Sequence, residues 1–336
     1  MKICLVTDTW DNVNGVVTTL RNTVKNLKLM GHDVLVIEPS QFKTVPAAGY
    51  PEVRLAVNIW RVGPMIRDYD PDAIHIATEG PLGFAARWYC KVDRRSIPHN
   101  TSYHTKFPEY LNTYCKFPVD WGYWLVRWFH KFSTKVLVTN QTMLKELAAR
   151  DFHSLAVWNR GVDRTLFTPS RRRDDSQFNR PLMLCVSRAS KEKGLDDFCQ
   201  IRLPGTKMLV GDGPYLDELK SRYPDVIFEG YKHGEELAEY YANADVLVFP
   251  SKTDTFGVVM LEGLASGTPI AAYPVTGPID VIEDGVNGAM HDDLAQAVIA
   301  ALAYGYDRAA VARSAERWDW RACTETFVAN LTQIPK

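Results

Sequence analysis

Asp254-Thr-Phe-Gly-Val-Val-Met-Leu-Glu262, running on into Gly263-Leu-Ala-Ser-Gly-Thr-Pro269, decides how this chain is read. Two carboxylates stand eight positions apart, on either side of a Phe256-Gly257 turn and at the start of an apolar run. The preceding Val246-Leu-Val-Phe249, closed by Pro250-Ser251, has the unbroken apolar character of a buried parallel strand. A strand, a glycine turn and a helix N-terminus flanked by acids make a site that holds a polar ligand by its hydroxyls. Taken alone, the pattern also describes an ordinary helix start whose acids balance the dipole. The rest of the chain has to decide between them.

The 336 residues suggest two domains of ordinary composition, 46% hydrophobic and 24% charged. The net charge of −1 gives no overall field toward nucleic acid. Residues 1–165 nevertheless carry 21 Lys and Arg against 15 Asp and Glu, and the remainder 18 against 25. That split suggests that the first half faces something anionic. Six scattered cysteines without a C-x-x-C pair argue against a zinc site or a disulfide framework. The first apolar run is too short for a signal peptide, and no segment reaches the ~20 apolar residues of a membrane span. A cytoplasmic protein is expected.

Short apolar strands alternate with helical patterns, which implies parallel sheets covered by helices. Ile3–Thr7, Val34–Ile37, Ala73–Ile76 and Lys135–Val138 read as strands of a first domain, with a helix over Val16–Met30. Leu182–Val186, Lys207–Val210, Val226–Phe228, Val246–Phe249 and Pro269–Ala272 read as strands of a second. Pro169-Ser-Arg-Arg-Arg-Asp-Asp-Ser176 reads as an exposed linker, its arginines solvated and without the interleaved aromatics of a nucleic-acid patch. The tail from about Asp307 to Leu331 reads as one long helix carrying Trp318 and Trp320.

Several further segments carry candidate chemistry. Arg188 and Lys193, in Val186-Ser-Arg-Ala-Ser-Lys-Glu-Lys-Gly194, follow a strand and suit a diphosphate: Arg grips bidentately and Lys adds a compact charge. Asn14-Gly15 follows the first strand, but the G-x-G-x-x-G of a dinucleotide fold is absent. Ser102-Tyr-His104-Thr-Lys-Phe, Glu79-Gly-Pro81, Gly211-Asp-Gly213-Pro214 and the segment from Glu235 to Asp245 complete the set. Asp68-Tyr-Asp70-Pro-Asp72 contains two D-x-D patterns, yet it precedes strand Ala73–Ile76, at the end where open α/β sheets do not bind ligands. We therefore expect no metal there and assign its work to Arg188 and Lys193. The stretch 103–132 interleaves rings (Phe107, Tyr110, Tyr114, Phe117, Trp121, Tyr123, Trp124, Trp128, Phe129) with cations, as a bilayer interface does. Trp121, Trp124, Leu125 and Trp128 also fall at helical spacing, as a core face would, and the sequence leaves both open.

In this order the motifs resemble the retaining glycosyltransferases of family four, the glycosyl transferases of group one, over nearly the whole chain. Asp254…Glu262 looks like their E-x7-E signature, with Asp where Glu is usual, and Arg188…Lys193-Gly194 like their G-R-x4-K-G segment. The resemblance implies an α/β, GT-B fold: two facing Rossmann-like domains with parallel sheets and a C-terminal helix crossing back to the first. We place residues 1–168 in an acceptor-side domain, 177–308 in a nucleotide-sugar domain and 309–336 in that helix.

The resemblance also implies roles. His104, Arg188, Lys193 and Asp254 would be catalytic; Gly15, Gly211, Gly213, Glu235, Phe256, Gly257 and Glu262 would bind the donor, Glu262 through the ribose hydroxyls; Asn14 and Glu79 would lie on the acceptor side. The expected reaction moves a hexose, mannose or glucose, from a nucleoside diphosphate sugar to a lipid or glycan hydroxyl, with no cofactor and no metal. Thr253-Asp-Thr-Phe-Gly257 and Ala272-Tyr-Pro-Val-Thr-Gly-Pro-Ile-Asp280 look most like bacterial lipid-directed transferases, so an anionic membrane surface is an expected partner and nucleic acid is not. A UDP-sugar 2-epimerase of the same architecture and a non-catalytic nucleotide-sugar binder are the alternatives.

Overall fold

Ile3-Cys-Leu-Val6 has no polar side chain to offer to water, and as β1 (Lys2–Val6) it is buried on both faces. The structure, a computed structural model, describes residues 1–11, 14–47, 50–92, 96–173 and 178–336. The Asp174-Asp-Ser176 end of the basic stretch lies outside the described residues, as does the side chain of Tyr114. The chain divides into two units: Met1–Asn159 with Trp320–Lys336, and Arg160–Asp319.

In the first unit β1 is joined by β2 (Asp33–Ile37), β3 (Thr44–Ala47), β4 (Tyr50–Ala56), β5 (Ala73–Ile76), β6 (Asn100–Tyr103), β7 (Lys135–Val138) and β8 (Leu155–Val157). Six form a parallel sheet in the order β2-β1-β5-β6-β7-β8, while β3 and β4 pair antiparallel on their own. Alternate side chains of β1 feed two cores, as a strand covered on both faces requires. Cys4 and Val6 meet Leu82 and Ala86 of helix Pro81–Val92. Ile3 and Leu5 meet Leu20 and Leu27 of helix Gly15–Leu29 and Phe327 of helix Trp320–Asn330.

The second unit repeats the plan with β9 (Leu182–Val186), β10 (Thr206–Val210), β11 (Ile227–Gly230), β12 (Val246–Phe249), β13 (Ile270–Ala272) and β14 (Gly288–Met290). Their order is β11-β10-β9-β12-β13-β14, all parallel. Helix Val258–Ala265 is apolar nearly all round because its neighbours enclose it, with Met260, Leu261, Gly263, Leu264 and Ala265 buried. Each order reverses direction once, between β1 and β5 and between β9 and β12. The connections there leave on opposite sides and open a crevice at the carboxyl ends of the strands.

One expectation changes. The tail is two helices, Arg308–Ser314 and Trp320–Asn330, separated by the turn Ala315–Arg317. Val311 and Trp318 are buried in the second unit's core and Trp320 in the first's, so the apolar residues face different cores and cannot share one helix. The arginine run is exposed as expected, with Arg173 71% open to water, but it is also paired with acids. Arg171 Nη2 reaches Glu235 at 3.2 Å, Arg172 Nη2 reaches Asp245 at 3.0 Å and Arg173 Nη2 reaches Glu239 at 2.5 Å. Nothing in the spacing points to acids 64 to 73 residues downstream.

Among the described residues no helix is long and apolar enough to cross a membrane. On helix Val119–His130 the buried face is Gly122, Tyr123, Val126, Phe129 and His130, while Trp121 and Trp124 are 67% and 59% exposed. The tryptophans are therefore not a core face.

Gly211 fixes how closely the loops after β9 and β10 approach. Its φ is +144°, and a Cβ there would stand 1.9 Å from the Ser187 carbonyl oxygen. Gly211→Ala should cost at least about 2 kcal/mol, because a backbone oxygen cannot swing away as a side chain can. An unchanged melting temperature would contradict this packing.

Candidate active site

Arg188 and Lys193 lie beyond β9 and Asp254 beyond β12, and these strands are neighbours at the point where the sheet order reverses. Their loops are laced together. Thr253 Oγ1 donates to the Glu192 carbonyl at 3.1 Å, and Lys193 Nζ donates to Asp254 Oδ1 at 2.5 Å. Both side chains of the pair remain about a fifth exposed, at 17% and 21%. For an ion pair so largely withdrawn from water, desolvation offsets much of the attraction, and the net stability added is small. Its consequence is to fix an ammonium at the mouth of the crevice.

Glu262 lies one turn into helix Val258–Ala265, and its Oε2 accepts from the Tyr241 hydroxyl at 2.7 Å. Burial pushes its carboxyl up to about 7, and the tyrosine bond offsets only part of that. The two acids of one motif thus sit in opposite environments: one beside a cation, the other desolvated. Gly257, at φ +85°, caps the same helix without a side-chain bond, and no acid occupies the first turn. No side chain caps this turn, where the Met260 amide turns back to the Gly257 carbonyl at 3.0 Å, and such a helix N-terminus suits an anionic group.

The other donor-side candidates fall nearby in the fold. Gly211 and Gly213 line the turn after β10, held against the loop after β9 by the Ala189 amide bonding the Asp212 carbonyl at 2.9 Å. Glu235, in the first turn of helix Gly234–Asn243, is tied to Arg171. Phe256 does not offer its ring to a ligand: it is 2% exposed and packs edge-on against Trp318 at 5.3 Å. What the Phe-Gly pair presents is backbone.

In the first unit, Asn14 caps helix Gly15–Leu29, its Oδ1 accepting from the Val17 amide at 2.9 Å, and Gly15 is the first helical residue. Glu79 follows β5, and its Oε1 lies 3.1 Å from His130 Nε2. His104 follows β6, is 7% exposed, and shares a 2.8 Å bond from Nε2 to Ser102 Oγ. That hydroxyl also lies 3.1 Å from His75 Nε2. Burial lowers the His75 imidazole to about 3, which keeps it neutral.

Sequence reasoning missed three groups here. Asp8, just past β1, accepts from the Leu82 amide at 2.7 Å and from Thr78 Oγ1 at 2.8 Å, joining the two loops of this unit's reversal point. Burial raises its carboxyl to about 6 despite those bonds. Its place directly after the first strand was the available signal. Ser102 and His130 gave none, since serine in a strand and histidine at a helix end are common. Of the D-x-D acids, Asp72 accepts from the Lys2 amide at 2.8 Å and pairs with Lys336 at 2.7 Å, Asp70 closes helix Val62–Tyr69 at φ 51°, and Asp68 pairs with Arg67.

Known proteins are similar to this chain. The family described as Glycosyl transferases group 1 matches residues 180–305, and Glycosyltransferase Family 4 matches residues 13–166. The chain is 31% identical to a GDP-mannose-dependent alpha-mannosyltransferase of Corynebacterium glutamicum, over 87% of this chain and 77% of that protein. It is 27% identical to the alpha-monoglucosyldiacylglycerol synthase of Streptococcus pneumoniae, over 90% of this chain and 78% of that one. Among solved structures, HepE of Anabaena in complex with UDP and glucose is similar over 98% of both chains, with a TM-score of 0.72 and 19% identity, a likeness of fold and of that fold alone, GT-B. Two reversal-point crevices, with the motif acids and cations at one of them, and this coverage lead to one conclusion: the chain belongs to the family-four, group-one glycosyltransferases.

Proposed function

We propose that this enzyme is a retaining transferase that moves a mannosyl or glucosyl group from a nucleoside diphosphate sugar to a hydroxyl of a lipid or glycan. The observation that carries the reading is the Lys193–Asp254 pair at the reversal point of the second sheet, on the same segment as Glu262. Arg188 and Lys193 receive the diphosphate. As the bond to the sugar lengthens, charge grows on the leaving phosphate, and fixed cations stabilise that state more than the ground state. Glu262 takes the ribose hydroxyls and Asp254 a sugar hydroxyl, while Glu79 and His104 serve the acceptor and the transferred sugar. The relatives' names support mannose or glucose as the sugar and a glycolipid as the product. Release of free nucleoside diphosphate from a panel of sugar nucleotides tests the reading. Acceptor-dependent release supports it, conversion to an epimeric sugar nucleotide without net release points to an epimerase, and neither change points to a binding protein.

The outward tryptophans and the cations beside them support a peripheral site on the cytoplasmic membrane face. The exposed Lys91 lies 4.8 Å from the Phe132 ring, while Arg87, 4.1 Å and 5.1 Å from the Trp128 and Phe132 rings, is itself buried and braces them from beneath. Each cation near an anionic surface adds about 1 kcal/mol, screened within a Debye length. Sedimentation with phosphatidylglycerol vesicles should fall steeply with salt and with Trp124→Ala/Lys131→Glu; no sedimentation at low salt contradicts a membrane role.

Arg188→Ala and Lys193→Ala should each lower kcat/KM by about 2–4 kcal/mol of transition-state stabilisation, the scale of one preorganised charge partner. Turnover should persist in EDTA, and a strict need for Mg²⁺ or Mn²⁺ would overturn the assignment of those cations.

Ribose hydroxyls donate to the ionised form of Glu262, whose carboxyl is pushed up to about 7 by burial. Nucleotide binding should therefore weaken below pH 7, by up to about tenfold per pH unit, and level off above it. Calorimetry with GDP and UDP checks this against Glu262→Gln, which removes the nucleotide's own phosphate titration from the comparison. Identical pH profiles for the two proteins contradict the ribose assignment.

A further inference from the structure

Glu79 is held at both ends. Its backbone lies in the loop that Asp8 ties down: Asp8 Oδ1 accepts from the Leu82 amide at 2.7 Å, and Oδ2 accepts from Thr78 Oγ1 at 2.8 Å and from the Gly83 amide at 3.2 Å. Thr78 Oγ1 in turn accepts from the Asp8 amide at 2.7 Å. Its head is held by His130, which comes from a different element, the last turn of helix Val119–His130. That imidazole is 3% exposed and walled by the rings of Phe129, Phe152 and Tyr103, at 5.1, 6.1 and 6.3 Å. It cannot turn without displacing them.

The hydrogen bonds set the order of protons. An ionised carboxylate only accepts, so His130 Nε2 carries the hydrogen and donates to Glu79 Oε1 at 3.1 Å. Nδ1 then accepts from Thr101 Oγ1 at 2.7 Å, and Thr101 accepts from Ser133 Oγ at 2.8 Å. One carboxylate oxygen is occupied. Among the described residues nothing else bonds Glu79, whose side chain is 19% exposed.

We propose that His130 is a positioning residue for the acceptor: by holding Oε1 of Glu79 it presents Oε2 to the acceptor hydroxyl and orients the oxygen that attacks the sugar. This rests on the reading of Glu79 as an acceptor-side acid. A loop carboxylate free to rotate would present either oxygen at many angles, and misplacement by ~1 Å is enough to cost ~100-fold in rate.

Two measurements on the full chain test it. With 15N-histidine labelling, the His130 ring, identified by its loss in His130→Gln, should be the Nε2–H tautomer, and Glu79→Ala should shift its resonance. An Nδ1–H tautomer, or no response to Glu79→Ala, overturns the proposal. Kinetics then use dioleoylglycerol and octyl glucoside in mixed micelles as acceptor probes. His130→Ala should lower kcat/KM for the acceptor about tenfold to a hundredfold while the donor KM stays within about twofold. His130→Gln, whose amide can donate to Glu79, should recover part of it, and His130→Ala should add nothing in a Glu79→Ala background. Equal losses for donor and acceptor, or additive losses in the double variant, overturn the proposal. A wild-type chain that transfers no sugar overturns the transferase reading instead, and the tautomer result still stands on its own.

Discussion

The ammonium of Lys193 against the carboxylate of Asp254 is the contact on which the donor side depends. Parallel strands force the chain to leave each sheet at its carboxyl end, and only where the strand order reverses do two such exits diverge. β9 and β12 make that exit in the second unit. The ion pair joins them, with the Thr253–Glu192 bond beside it. Its worth lies less in stability than in geometry: on the proposed reading, a diphosphate arriving there would meet a cation already held in place, with nothing to reorganise as charge develops.

One motif holds two acids in different surroundings, and the tasks proposed for them follow from that difference. Asp254 is partly hydrated and charge-paired, while Glu262 is desolvated beside Tyr241. A cation is what a sugar-contacting carboxylate beside a leaving phosphate needs, and a desolvated acceptor is what a diol needs to be bound firmly. The first unit uses the same logic at its own reversal point, where Asp8 binds the loop after β5 to the end of β1. Both units thus place polar groups where the backbone already converges.

Much of this was legible in the sequence. The strands with unbroken apolar character, such as Leu182–Val186 and Val246–Phe249, were read at their true bounds. β6 was harder, because Asn100, Thr101 and Ser102 are all buried yet polar, each satisfied by side-chain bonds that only the tertiary structure reveals. Tryptophans cut both ways. Helical spacing on Val119–His130 gave the period but not which face turns inward, and Phe256 looked like a ligand wall when its partner is Trp318. The partners of the arginine run were hidden for a related reason: its acids lie on helix Gly234–Asn243 and just after it, too far along the chain for spacing to show.

The claim that sugar transfer proceeds on one face of the ring is tested most directly by the anomeric configuration of the first product. Incubating the enzyme with GDP-α-mannose or UDP-α-glucose and a diacylglycerol or alkyl glycoside acceptor, and following the new anomeric proton by NMR, gives that answer directly, because a glycoside does not mutarotate. The account predicts an α-glycoside. A β-glycoside as the initial product would contradict it, since inversion needs a positioned general base and not the leaving phosphate held by Arg188 and Lys193.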